Sequence, residues 1–94
     1  MSSIRWPSKQ CRTDAMFIES ALPELEDFKD QLEFQGAEYQ FMASWTNRMW
    51  PVAKAIKRVE DAVGYPASYS FHGETTYEVL ASAWEQILTY AANL

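Results

Sequence analysis

The hydrophobic positions of this chain recur with a helical period in three separate segments. In the central segment, between Gly36 and Gly64, apolar residues follow one another at alternating steps of three and four. This spacing places them on one side of a helix, and glycine commonly marks the point where a helix ends. We therefore predict a helix over 37–63, kinked at Pro51 because proline removes one helical hydrogen bond. The apolar residues of this seam are Met42, Trp45, Met49, Val52, Ile56, Val59 and Val63.

An earlier segment, over about 13–34, has the same kind of period and predicts a second helix. Thr13 is a suitable N-cap for it. Pro23 lies inside the segment, so the helix is expected to be kinked or broken there. We favour a break with Pro23 as the first residue of a new helix, because acidic residues would then lie at the new N-terminus. The apolar positions are Ile18, Leu22, Leu25, Phe28 and Leu32.

The third segment predicts a helix over 75–92. The sequence from Thr75 to Glu78 matches the T-x-x-E pattern of a capping box, in which the first threonine caps the helix. Before it, residues 64–74 read as an aromatic loop, bounded by glycine and containing Pro66. The apolar positions of the helix are Tyr77, Leu80, Trp84, Ile87 and Ala91.

Together these segments predict an all-α fold, a compact bundle of three principal helices. The 94 residues form one domain, 1–94, in which residues 1–12 are a loosely ordered arm with Trp6 covering an edge of the core. Ala53, Ala55 and Ala62 lie beside the central seam, which favours a bundle interior over a two-stranded zipper flanked by charges. The predicted core is Ile18, Leu22, Leu25, Phe28, Leu32, Trp45, Met49, Val52, Ile56, Val59, Leu80, Trp84, Ile87 and Leu88.

Composition and charge narrow the class of protein. Apolar residues make up 48% of the chain and charged residues 22%, as in globular domains rather than disordered ones. The formal charge of −5 argues against general nucleic-acid binding, which depends on positive charge. Cys11 is the single cysteine, so no disulfide forms within the chain. With no signal-like start and no long apolar run, a cytoplasmic location is expected.

Catalytic and metal-binding patterns are missing from the sequence. His72 is the only histidine, and it has no second histidine or cysteine with which to share a metal ion. Lys9 and Arg12 are expected to lower the pKa of Cys11 in a mobile arm, yet no base accompanies that thiol. There is also no glycine-rich phosphate loop, no HExxH and no CxxC. We therefore expect no enzyme activity, no cofactor and no metal site.

Charge is segregated along the chain, and its acidic part lies first. Between Asp14 and Glu38 there are eight carboxylates and one basic residue, Lys29. Four of the carboxylates project opposite the apolar stripe, where they suit docking on a basic surface. The alternative is an ordinary solvated helix face, which is what a run of charge usually means. The four residues are Glu19, Glu26, Asp30 and Glu33.

The basic residues concentrate on the back of the central helix. Half of the chain's lysines and arginines, namely Arg48, Lys54, Lys57 and Arg58, lie within eleven positions. Trp50 lies among them, away from the seam. Tryptophan and arginine dominate the energetics of protein interfaces, so this grouping predicts a binding surface. The alternative is that the N-terminal arm or the loop at 65–72 covers Trp50.

A short, acidic, tryptophan-rich chain without a catalytic set resembles, in size and composition, the small inhibitors that phages make, such as anti-CRISPR and anti-restriction proteins. Charge segregation and surplus aromatic residues without a catalytic set predict a non-catalytic protein-binding module that inhibits a larger protein or nucleoprotein complex with a basic surface, and the resemblance is an analogy to it. The alternatives are a self-assembling adaptor or structural subunit, and a nucleic-acid binder acting through the 48–58 face. Candidate partner-binding residues are Glu19, Glu26, Asp30, Glu33, Arg48, Trp50, Lys54, Lys57 and Arg58.

Overall fold

The central helix of the chain packs against both of the other helices. The computed structural model describes residues 4–66, 70–71 and 74–94. Its elements are α1 (Lys9–Phe34), a 3-10 turn (Tyr39–Phe41), α2 (Ala43–Val63) and α3 (Tyr77–Ala92). The described residues contain no strand, and the predicted all-α bundle of three principal helices is confirmed.

Helix α1 begins earlier than its sequence pattern predicted. Ser8 is the N-cap, with its hydroxyl accepting a hydrogen bond from the Cys11 amide at 3.1 Å. The predicted cap, Thr13, instead lies inside the helix and donates to the Lys9 carbonyl at 3.0 Å. Residues 9–12 therefore belong to α1 rather than to an N-terminal arm. The reason is that Cys11 and Ala15 are buried and continue the apolar stripe of α1 towards its N-terminus.

Both interior prolines lie within continuous helices. The prediction of a break at Pro23 is wrong, because α1 runs through it, and α2 likewise runs through Pro51. Each proline is exposed, as is the residue four positions earlier whose carbonyl loses its helical donor. Because these residues lie on the exposed side of their helices, the freed carbonyls are accessible to hydrogen bonding by solvent. On the opposite side of α1, Leu22 and Leu25 are both buried and hold the two halves on the core.

Helix α2 begins at Ala43 instead of residue 37. The chain first forms the 3-10 turn, in which the Met42 amide donates to the Tyr39 carbonyl at 2.9 Å. Tyr39 is buried with its ring edge-on to Trp45, at a centroid distance of 4.7 Å. The buried Tyr39 ring anchors the 3-10 turn on the core, and the helix begins only after this turn. At the other end Gly64 takes a φ of 77°, the left-handed conformation that ends a helix and suits glycine.

Helix α3 is capped by Thr76, one residue later than the capping box predicted. The Thr76 hydroxyl accepts a hydrogen bond from the Val79 amide at 3.3 Å. A second cap comes from the 3-10 turn, because the Tyr39 hydroxyl accepts from the Tyr77 amide at 2.9 Å. The same hydroxyl donates to Glu78 at 3.2 Å. The N-terminus of α3 is therefore fixed by a tyrosine that lies far away in the sequence.

The core lies where the three apolar stripes meet. All fourteen predicted core residues are buried except Phe28 and Leu88, which are half-buried against the same cluster. The flanking Ala53 and Ala55 are buried too, whereas Ala62 is exposed. The seam of α2 therefore serves a bundle interior, as its alanines predicted. Further buried members are Cys11, Ala15, Tyr39, Val63, Phe71, Ala83 and Ala91.

The segments before α1 and before α3 close the edges of this core. Trp6 is half-buried and stacks on Trp84, with ring centroids 6.0 Å apart. In the connection between α2 and α3, Tyr65 packs edge-on against Tyr90 and Phe71 is buried. His72, for which no metal-binding role was expected, lies outside the described residues. Among the helices described, none has the length and hydropathy that crossing a bilayer requires.

Candidate protein interaction surfaces

The outer side of α1 carries an exposed acidic surface. We define the acidic face as Glu19, Glu26, Asp30 and Glu33, all of which are exposed. Large apolar side chains lie near both of its ends, since Met16 is 67% exposed and Phe34 is 94% exposed. These two residues are 18 positions apart, or about 27 Å along a helix at a rise of ~1.5 Å per residue. The predicted acidic surface thus exists, and it has apolar borders that the charge pattern did not indicate.

Lys29 neutralises one end of the acidic face and ties it to α3. Its ammonium group lies 3.6 Å from Asp30, 3.8 Å from Glu33 and 3.1 Å from Glu78. The hydrogen bond with Glu78, followed by the nearby negative charges, raises the pKa of Lys29 despite partial burial. Within the described residues, Glu19 and Glu26 form no ion pair. The negative charge of the face is therefore least compensated at its N-terminal end.

The back of α2 forms an open cavity around Trp50. We call it the Trp50 cavity; its volume is about 460 Å³. Buried Ala53 and Phe71 supply apolar surface, and Trp50 is 41% exposed. The ammonium of Lys54 lies 5.7 Å from the centre of the Trp50 ring. The residues lining the cavity are Trp50, Ala53, Lys54, Lys57, Arg58, Ser70 and Phe71.

A neighbouring cavity continues this surface towards α1. We call it the Phe17 cavity; its volume is about 440 Å³, and it shares Lys54 and Arg58 with the Trp50 cavity. Its other lining residues include Phe17, which is 44% exposed, and Asp14. The fifth predicted residue of the basic surface, Arg48, lies apart from these. Its guanidinium is 4.4 Å from the centre of the Phe28 ring, in a smaller cavity of about 230 Å³.

Arg58 has a structural contact that the sequence did not indicate. Its Nε and Nη2 groups donate to the two carboxylate oxygens of Asp14, each at 3.1 Å. Asp14 is buried in α1 and also accepts from Gln10 at 3.3 Å. Hydrogen bonding to Asp14 raises the pKa of Arg58. The pair joins α1 to α2 and fixes the guanidinium between the two cavities. In the sequence, Asp14 groups with the acidic residues of 14–38. Its burial could have been predicted only from its position on the apolar side of α1, four residues before Ile18.

Lys57 is also held on α2, because its ammonium lies 3.4 Å from Oε1 of the buried Glu60. Among the residues that the structure describes, the other carboxylate oxygen of Glu60 has no hydrogen-bond partner. The predicted basic residues are therefore of three kinds. Lys54 and Arg58 line both cavities, Lys57 lines one of them, and Arg48 lies on Phe28.

Cys11 departs from its predicted environment. It is buried in the first turns of α1 rather than exposed in a mobile arm. Burial raises the pKa of the Cys11 thiol, and the negative charge of Asp14 raises it further. The prediction that Lys9 and Arg12 lower this pKa is therefore wrong, because both side chains are exposed to solvent while the thiol is not. The described residues contain no group of three or more histidine, cysteine, aspartate or glutamate side chains placed to hold a metal ion.

Comparison with known proteins gives no relative for this chain: no family model, no curated protein and no solved structure matches it.

Proposed function

We propose that this protein is a non-catalytic protein-binding module that inhibits a larger protein or nucleoprotein complex by docking the acidic face of α1 on a basic surface. The observation that carries the proposal is the combination of exposed carboxylates with exposed Met16 and Phe34 on one side of α1. A merely solvated helix face has no need of large apolar side chains at its borders. An interface uses apolar area for affinity and charge for orientation and rate of association.

Four residues of this surface make no contact with the core of the described residues. Glu19, Glu26, Met16 and Phe34 lie away from the buried cluster, which the opposite side of α1 supplies. A single continuous helix of 26 residues presents them, so little ordering is needed on binding. The resemblance to small phage inhibitors in size and composition agrees with this proposal, since such proteins act by occupying a surface of their target.

The test compares two variants of equal net charge. One carries Glu26→Lys, Asp30→Lys and Glu33→Lys on the acidic face. The matched control carries Glu38→Lys, Asp61→Lys and Glu85→Lys, three exposed acidic residues outside it. Each changes the formal charge from −5 to +1, because three residues each change by +2. Immobilised wild-type protein and both variants are used to capture binding proteins from a host lysate, and the captured proteins are identified by mass spectrometry.

We expect a partner that the wild type and the control variant retain and the acidic-face variant loses. With that partner purified, the acidic-face variant should bind at least about tenfold more weakly, with a smaller dependence on salt. The wild type should inhibit the partner's activity and the acidic-face variant should not. A partner that all three proteins bind equally would refute the role of the acidic face, and binding without inhibition would refute the inhibitor assignment.

A further inference from the structure

The Trp50 cavity combines an apolar interior with a cationic edge. Ala53 and Phe71 are buried within it, and Trp50 offers an exposed ring. Lys54 and Arg58 line the same opening and are both exposed. A cavity of about 460 Å³ is large enough for one aromatic or branched aliphatic side chain with its neighbouring backbone. The ligand that such a site fits is apolar at its centre and negatively charged at its ends.

Arg58 is positioned before any ligand arrives, and Lys54 lies near the Trp50 ring. Arg58 uses Nε and Nη2 to hold Asp14, which leaves its Nη1 group and the outer side of the guanidinium for a further acceptor. Lys54 lies with its ammonium 5.7 Å from the Trp50 ring centre. Because the Arg58 guanidinium is already restrained by Asp14, a carboxylate that binds it loses less of its affinity to side-chain ordering.

We propose that the Trp50 cavity binds a short acidic segment of a partner protein, which inserts one aromatic or aliphatic side chain beside Trp50 and sets its carboxylates against Lys54 and Arg58. Tryptophan and arginine are the residues that contribute most to binding in protein interfaces. This site lies on α2 and does not depend on the acidic face of α1. Each of the two surfaces can therefore be tested while the other remains intact.

The surroundings of the cavity favour an acidic peptide over a nucleic acid. The Phe17 cavity, which adjoins it, is lined by Asp14, and the small cavity beyond is lined by Glu24. The phosphate backbone of a nucleic acid that continued along this surface would meet those carboxylates. Among the described residues that line the Trp50 cavity, the charged ones are all cations, so a short peptide confined to it meets no carboxylate there.

The experiment uses a defined probe, the acetylated and amidated hexapeptide Glu-Glu-Leu-Phe-Glu-Glu. Its affinity is measured by calorimetric titration at low salt, and its location is found from chemical-shift changes at the Trp50 indole. Two control peptides replace either the glutamates with glutamine or the Leu-Phe pair with serine. The protein variants are Lys54→Glu and Trp50→Ala. Their matched controls are Lys9→Glu and Phe41→Ala, which alter an exposed lysine and an exposed aromatic residue elsewhere.

We expect the probe to bind the wild type with a dissociation constant below about 1 mM and to shift the Trp50 indole signal. Lys54→Glu and Trp50→Ala should each weaken binding at least about tenfold, as should each control peptide. The Lys9→Glu and Phe41→Ala proteins should bind as the wild type does. Because Trp50 and Lys54 are both exposed, their variants should remain folded. Urea unfolding of every variant verifies that a loss of binding is not caused by a loss of folding.

Three results would overturn the proposal. The first is no probe binding below about 1 mM, or binding that Lys54→Glu leaves unchanged. The second is tighter, salt-sensitive binding of oligothymidylate that Lys54→Glu abolishes, which would make the surface a nucleic-acid site. The third is self-association of the wild type in light scattering that Lys54→Glu abolishes, which would make a second copy of the chain the occupant.

Discussion

The pairing of Asp14 with Arg58 leads to an asymmetric prediction about stability. Asp14 lies on α1 with its side chain only 8% exposed, whereas the side chain of Arg58 is 53% exposed. Removing either residue breaks the same two hydrogen bonds of 3.1 Å. The consequences differ because of what each change leaves behind. Arg58→Met leaves a buried carboxylate, while Asp14→Ala leaves a guanidinium that water can reach.

The magnitudes follow from burial. Breaking a fully buried ion pair by removing one partner costs about 3–5 kcal/mol. The half-exposed guanidinium and the Gln10 contact, at 3.3 Å, place this pair below that range. We therefore expect Arg58→Met to lower the free energy of unfolding by about 2–3 kcal/mol. Asp14→Ala should cost about 0.5–1.5 kcal/mol, because the arginine left behind is hydrated and alanine favours the helix.

The double variant distinguishes this explanation from simple loss of packing. Once Asp14 is gone, Arg58→Met no longer strands a buried charge, so the double variant should be more stable than Arg58→Met alone. The coupling between the two sites should be about 1–2 kcal/mol. Urea unfolding followed by circular dichroism at neutral pH measures all four proteins. Equal costs for the two single changes, or additive costs in the double variant, would refute the reasoning.

Three further predictions concern single residues. Trp84→Ala should lower the free energy of unfolding by about 3–5 kcal/mol, because the ring is buried and covered by Trp6; a loss below about 1 kcal/mol would contradict its place in the core. The thiol of Cys11 should resist Ellman's reagent until the protein unfolds, since burial shields it and raises its pKa, and reaction at the rate of a free thiol would disprove this. Burial alone would raise the pKa of Glu78, but hydrogen bonds from its own amide, Lys29 and Tyr39 lower it below the ordinary 4.5. The stabilisation by the Glu78 carboxylate is thus present above about pH 4.5 and is lost as the pH falls through the lowered pKa. Glu78→Gln should therefore lower the free energy of unfolding by a few tenths to about 1 kcal/mol at pH 7, and by less at pH 3, as measured by thermal unfolding. Equal costs at both pH values would exclude the effect.

The sequence alone determined the class of fold and most of the core. The period of the apolar residues sufficed for this, because the apolar side of each amphipathic helix in a small bundle is buried in the one shared core. Trp45, Ile56 and Ile87 are buried as the pattern predicted. The pattern did less well at helix ends. Capping depends on single side chains, and Ser8, Thr13, Thr75 and Thr76 are all chemically able to cap.

The candidate surfaces were only partly predictable for a different reason. Charge runs identify which residues are solvated, and the acidic face of α1 is exposed as predicted. They cannot identify contacts between residues that are far apart in the chain. Asp14 and Arg58 are separated by 44 positions, and Tyr39 caps α3 across 38. Phe17 and Phe71, which line the Phe17 cavity and the Trp50 cavity, lie off any regular apolar stripe.

What the tertiary structure decided is therefore the environment of each polar group. Asp14 became a buried partner of Arg58 instead of part of an acidic surface, and Cys11 became a buried core residue with a raised thiol pKa instead of an exposed thiol in an arm. Trp50 stayed exposed beside two cations. Periodicity is a property of one helix and can be read locally. Burial, pairing and cavity shape arise where two elements meet, so they are settled only when α1, α2 and α3 pack together.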